Sequence, residues 1–459
     1  SVLEREKMTL FVRDKIFYKT TAAIAIPIAL QNLITVAVSM MDTLMIGQLG
    51  EVQLSATSIA NQLWFMLMVV CFGVAGGANV LISQYWGKRD TAVIKRVQAI
   101  TFKVGFVISI VFMLVALLIP ERFMGVFTTE TAVIEYGAQY LRILGWSYPL
   151  YAMANIAIMM LRSVGTVNIS IVVYLTSLVV NTSLNYVLIF GKFGAPRLEV
   201  RGGALATLTA RCFEFVIAFA YVLWREKKIQ FTLKDLLPSN RELYKKYVFI
   251  SIPVIGNELM WGMGASMVAV VIGRMGTHFV AANSIYTVLN QLVTVAIFGV
   301  ANAALTVVGN TIGAGEYEQA KQRSVTFMAI AVLFGVLSAV VTLLLGPVVI
   351  SFYDFSADTI AIAHSITHVG ALIVFFQSLA TIGMVGVLRA GGDAKFVLVC
   401  EVVFLWLVAV PLGFLTGLGL GWPAPAVFLV LKCDEILKSI ISLFRIGGFK
   451  WLRDITIRD

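Results

Sequence analysis

The side chains able to carry charge or hold an ion inside this apolar chain fall into two groups. Asp42 stands about 20 residues into an apolar run (22–46), Asn185 about 18 residues into the run 167–191, with Asn181 one turn before it, and Thr207 one turn into the run 203–224. Counted at about 1.5 Å per helical residue, all four reach one outer level. A carboxylate, two amides and a hydroxyl at one depth form an oxygen-rich cluster able to take up a proton or a small cation. The other reading is that the asparagines and threonine only tie helices together. Asp42 resists it, because no Lys or Arg of these runs is expected at its level as a partner. The second group is Glu258, about 11 residues into the run 247–273, and Glu401, about 6 into the run 395–418, both in the inner half. Facing each other, they would need a proton or Na⁺ to relieve their repulsion. The alternative is a carboxyl held neutral by amides such as Asn257.

Other chemistry-bearing residues have plainer readings. Arg142 and Glu214 are isolated ionisable groups in apolar runs. Lys432, Asp434, Glu435 and Lys438 have i,i+3 and i,i+4 spacings that neutralise one another on one helix. His364 and His368 are spaced like metal ligands, but no third ligand is near, so no metal site is expected. Met41, Trp64, Met66, Met260 and Trp261 suit an adaptable apolar pocket, or equally ordinary packing.

The elements that position these residues follow from composition. Hydrophobic residues make up 59% of the chain and charged residues 13%, with a mean hydropathy of +0.91. That excludes a water-soluble domain and fits an all-α polytopic membrane protein. About twelve runs are long enough to cross roughly 30 Å of hydrocarbon as helices, and the alternation of barrel strands is absent. The net charge of +10 sets topology rather than recruiting nucleic acid. Basic residues gather before the first run, after the second and between the sixth and seventh, so both termini are expected in the cytoplasm. Cys71, Cys212, Cys400 and Cys433 lie in apolar runs without paired spacing and read as reduced.

The runs repeat. Residues 26 to 95 reappear 226 positions later, with Ile26-Pro27 as Ile252-Pro253, Gly50 as Gly276 and Gly87 as Gly313. Leu161-Arg162 and Gly165 return at a shift of 227 as Leu388-Arg389 and Gly392. With six helices per copy the repeats are parallel, and paired lobes usually hold a transport site. The expected organisation is an amphipathic segment 1–21, an amino lobe 22–224, a cytoplasmic linker 225–246, a carboxyl lobe 247–445 and a tail 446–459. Pro27 and Pro253, early in the first and seventh helices, are candidate hinges. The acids are not copied, since Asp42 has Val268 as its partner and Glu258 has Asn32.

The segment Ser39 to Gly47, Leu161-Arg162-Ser-Val-Gly165, the run Asn181 to Gly191, Val200 to Thr207 and Leu388-Arg389-Ala-Gly-Gly-Asp393 together resemble the MATE (multidrug and toxic compound extrusion) family. The resemblance covers nearly the whole chain. It implies a V-shaped pair of six-helix bundles that exports organic cations in exchange for inward H⁺ or Na⁺, monomeric, multi-pass in the plasma membrane, with no cofactor. It places Asp42 as the helix 1 acid of an amino-lobe cation site with Asn181, Asn185 and Thr207 as companions. Asn185 stands where proton-coupled archaeal relatives carry an aspartate, and Trp261 and Ser378 stand where the sodium-coupled branch carries acids. The rival readings are a flippase for a lipid-linked precursor, which would need an Arg- and Lys-rich cavity, and an intramembrane enzyme, disfavoured by only three histidines.

Overall fold

The computed structural model describes residues 11–237 and 240–457. Residues 1–10 of the expected amphipathic segment, and Pro238-Ser239 of the expected linker, lie outside the described residues; Lys15 to Thr21 already form the first turns of a helix. Apolar sequence broken by Gly, Pro and short polar links yields helices, and no strand occurs among the described residues. They are α1 (Lys15–Gly47), α2 (Glu51–Gly87), α3 (Thr91–Leu118), α4 (Pro120–Phe127), α5 (Thr131–Leu144), α6 (Ser147–Ser163), α7 (Asn168–Phe190) and α8 (Val200–Arg225). After a link containing one short 3₁₀ turn follow α9 (Arg241–Met275), α10 (Thr277–Gly313), α11 (Tyr317–Ser351), α12 (Ala357–Leu388), α13 (Ala394–Gly419), α14 (Ala424–Leu431) and α15 (Cys433–Gly447).

Ten of these are long and apolar enough to span a membrane, and α5 with α6, bent by 54°, completes an eleventh. The twelfth expected helix is broken into α14 and α15 at Lys432. Four ionisable residues between 432 and 438 interrupt its apolar run.

By contacts the chain divides into two units. One comprises Leu30–Ala78 and Thr91–Ser251; the other comprises Ser1–Ala29, Asn79–Asp90 and Ile252–Asp459. In the first, α8 packs on α5, α6 and α7 around Ala154, Ile158, Val173, Tyr174 and Ala218. In the second, α10, α11 and α12 pack together, and a core including Val271, Ile285, Ile366, Val427 and Phe428 fills the unit. Helices α1, α2 and α9 each contribute to both units. Pro27 and Pro253 lie within α1 and α9, within three residues of the points where those helices change unit.

Backbone geometry repeats with the sequence. Gly50 and its partner Gly276 have φ of 136° and 125°, and Gly165 and Gly392 have φ of 74° and 75°. Glycine is needed there because a Cβ disfavours positive φ. A second pairing is reciprocal. A Cβ on Gly87 would strike the backbone of Asn310, and one on Gly313 would strike the backbone of Gln84, so the carboxyl ends of α2 and α10 cross at bare backbone.

The segment after α15 packs onto that crossing. Trp451 is fully buried. The Gln84 amide donates to the carbonyls of Ala390 and Arg453, at 2.7 and 3.1 Å, and its oxygen accepts from the Ile455 amide at 2.9 Å. Tyr317 donates to Asp454 at 3.0 Å.

Candidate functional site

Helical spacing builds one polar face after another around a cavity of about 290 Å³. On α1, Thr35, Ser39 and Asp42 recur at i, i+4 and i+7 and reach it. On α8, Thr207, Arg211 and Glu214 do the same. Tyr174 and Ser177 come from α7, Asn61, Trp64 and Phe65 from α2, and Tyr140 from α5. All belong to the first unit.

Behind the wall, Asn181 and Asn185 continue the face of α7 that starts at Tyr174, and both are buried. Asn185 donates from its amide to Asp42 Oδ1 and, at 3.1 Å, to Asn181 Oδ1. Asn181 in turn donates to the Thr207 hydroxyl at 3.2 Å. The four residues grouped by depth thus form one hydrogen-bonded chain ending on the carboxylate. Asn185 Oδ1 is buried and has no partner.

Arg211 was missed by the depth argument and corrects the expectation that no cation shares the level of Asp42. Its Nη1 bonds both oxygens of Glu214 at 2.8 and 2.7 Å, and its guanidinium carbon lies 4.8 Å from the centre of the Tyr151 ring. Asp42 itself is in no ion pair among the described residues. The signal for Arg211 was present in its position one turn beyond Thr207 and three residues before Glu214. Arg142, expected as an isolated ionisable group in an apolar run, sits half exposed in the last turn of α5, paired with Glu121.

The second unit holds a different polar network. Glu258 on α9 pairs with Arg389 at 2.7 Å, and Arg389 also donates to Asn257. Asn257 donates to Glu401 on α13 at 3.5 Å. The Lys438 ammonium on α15 lies 3.3 Å from Glu401, 2.9 Å from Asp434 and 3.4 Å from Glu435. Glu258 and Glu401 therefore do not meet directly but are linked through Asn257 and Arg389. Each has its own cation, which relieves the repulsion expected of a facing pair. The pairing Lys432 with Glu435 does not form; Lys438 serves Glu435 instead.

A family model, MatE, matches twice, over residues 27–187 and 253–415. The chain belongs to the MATE family. The two matches start 226 residues apart, the period of the internal repeat. YisQ of Bacillus subtilis, described as an uncharacterized transporter, is 25% identical over 414 residues, covering 90% of each chain. YoeA of the same organism, a probable multidrug resistance protein, is 24% identical over 434 residues, covering 90% of this chain and 92% of that one. A solved structure of a mutant of VcmN, a MATE transporter of Vibrio cholerae, superposes with a TM-score of 0.87 at 16% identity over 96% of this chain and 99% of that one. MATE proteins are multidrug efflux transporters and not enzymes, so this chain is a multi-pass membrane transporter.

Within this MATE chain the expected substrate residues separate. Trp64 lines the cavity, its Nε1 buried without a partner, whereas Met41 and Met66 do not line it and Met66 is exposed. Met260 and Trp261 belong to the other unit, and Trp261 is exposed. No cluster of ligands fit to hold a metal ion occurs among the described residues; His368 bonds the His364 carbonyl at 2.6 Å. All four cysteines are free.

Proposed function

We propose that the chain exports organic cations across the plasma membrane in exchange for inward protons, working as a monomer by alternating access with both termini in the cytoplasm. The observation carrying this is Asp42, a carboxylate without a cation partner, on the wall of a cavity and at the end of the chain Thr207, Asn181, Asn185. The tyrosine and tryptophan faces beside it suit an aromatic cation. H⁺ is favoured over Na⁺ because the Asn185 amide presents an N–H donor to Asp42, whereas a sodium ion would require several converging oxygens. Asn185 Oδ1, lacking a partner, is the acceptor that a protonated Asp42 would need after the amide turns over.

Protonation and drug binding then compete for one carboxylate. A ligand moves a conformational equilibrium only by its differential affinity for the two states, and neutralising Asp42 supplies such a difference. Glu258, Glu401 and the Pro27 and Pro253 positions are assigned supporting roles, the acids in a second polar network and the prolines as bends in α1 and α9. The test is ethidium efflux from proteoliposomes under separately imposed pH and Na⁺ gradients. The pH gradient should drive efflux, and Asp42→Asn should abolish it while the variant still folds. Undiminished transport by that variant would sink the assignment.

A further inference from the structure

The cavity is not simply acidic. Its lining contains three charged side chains, Asp42, Glu214 and Arg211, for a net charge of −1 with one fixed cation. The cation stands in front and its partner behind, the Arg211 side chain being 13% exposed and that of Glu214 only 1%. Glu214 occupies a single nitrogen of the guanidinium, Nη1, with both of its oxygens. The Tyr151 ring covers one face, with the Trp64 ring at 5.8 Å. Nε and Nη2 make no hydrogen bond among the described residues. A guanidinium held in this way is preorganised, so little rotamer entropy remains to be lost when it binds an acceptor.

We propose that Arg211 is a specificity-determining residue that reads an anionic or carbonyl acceptor on the exported compound. The cavity then selects amphoteric aromatic compounds, with the cationic end on Asp42 and the acceptor end on the free edge of Arg211. Thr207 and Arg211 lie one turn apart on α8, so the far end of the hydrogen-bonded chain that leads to Asp42 and the group that reads the acceptor share one helix. A pair that served only the fold would not need unbonded guanidinium nitrogens on a residue that lines the cavity. Buried ion pairs add little to stability compared with apolar packing. This inference rests on reading the cavity as the drug site.

Rhodamine 110, an amino acid in form, and its methyl ester rhodamine 123, a plain cation, differ only at one carboxyl group. General electrostatics in a cavity of net charge −1 favours the ester. Arg211 favours the acid, because a charge-assisted hydrogen bond forms only with the free carboxylate. Fluorescence polarisation on the purified chain should give a Kd for rhodamine 110 about tenfold below that for rhodamine 123, in line with one such bond. In Arg211→Gln/Glu214→Gln, which removes the pair without stranding either charge and keeps the net charge of −1 through Asp42, the preference for the acid should be lost, the ratio falling to one or reversing toward the ester. Arg211→Lys, which keeps the charge and loses the planar fork, should fall between.

Equal binding or a preference for the ester in the unmodified chain overturns the proposal, whether or not any variant folds. So does a preference that persists in the double variant. Asp42→Asn separates the two readings. It should weaken both dyes while leaving their ratio above one; if it weakens neither, the site assignment of Asp42 falls and the dye ratio still decides the role of Arg211.

Discussion

Asp42 and Lys438 are opposite solutions to holding charge inside an apolar chain. The Asp42 carboxylate receives an amide donor and no cation, which suits a group that must gain and lose a proton. Lys438 is ringed by three carboxylates, which suits a permanent charge. Lys438→Met would leave Glu401, Asp434 and Glu435 buried without their shared cation and should cost about 3–5 kcal/mol. A fall in Tm of the purified protein measures it; a Tm within a degree of the unmodified chain would mean that the ring is held by other groups. The positions of Asp42, Asn181, Asn185 and Thr207 were legible from residue counts because depth along a straight helix is linear in sequence. Arg211 was not, because counting gives depth but not the direction in which a long side chain reaches. The same limit hid the partners of Glu258 and Glu401. Counting placed both in the inner half, but not the arginine and the lysine, far along the chain, that neutralise them.

At the scale of elements, the repeat governs more than glycines. Arg162 donates to Gln31 in one unit as Arg389 donates to Asn257 in the other. The arginines are repeat partners at a shift of 227, and the acceptors at 226, each one turn beyond Pro27 or Pro253. Helices α1 and α9 are thus tied just past Pro27 and Pro253 by the same guanidinium latch, and the second adds a carboxylate, Glu258. The sequence comparison identified the matching residues but not the bond, since nothing in either segment alone says which arginine meets which amide. The glycines divide into two kinds with different expected outcomes. Gly87→Val would drive a Cβ into the backbone of α10, which cannot move aside like a side chain, and should destabilise by more than the ~1–3 kcal/mol of ordinary overpacking. Gly273, repeat partner of Gly47, has no neighbour within 4 Å of a Cβ and no positive φ. Gly273→Ala should therefore stabilise α9 by about 0.5–1 kcal/mol. Thermal melts of the two variants side by side check both signs.

At the scale of the whole molecule, composition revealed the class and the repeat revealed the number of lobes, because both are sums over many residues. The break at Lys432 and the docking of the segment after α15 were less visible, being decided by a few polar contacts between distant parts of the chain. That segment also carries a pH dependence. Burial pushes the Asp454 carboxyl up, but the Thr456 hydroxyl and amide, the Tyr317 hydroxyl and Lys88 together hold it below the usual carboxylate range. A depressed carboxyl contributes stability that is present above its unfolded value, about pH 4, and is lost as pH falls through its folded value. Hydrogen exchange at the Ile455 amide, corrected for intrinsic rate, should stay slow above about pH 4 and accelerate below it. Asp454→Asn should remove that step, and an unchanged profile would show that the docking does not depend on this carboxylate.

The Gln84 bond to Ile455 spans 371 residues, and it sets an order of events in biosynthesis. Helices α1 to α13 can enter the bilayer one after another as they leave the ribosome. The carboxyl end of α2 cannot acquire its last hydrogen-bond partners until Ile455 has been made. A chain stalled or truncated after α15 would carry every long apolar helix and the Ala390 carbonyl, and still lack the Ile455 amide that the Gln84 oxygen accepts from.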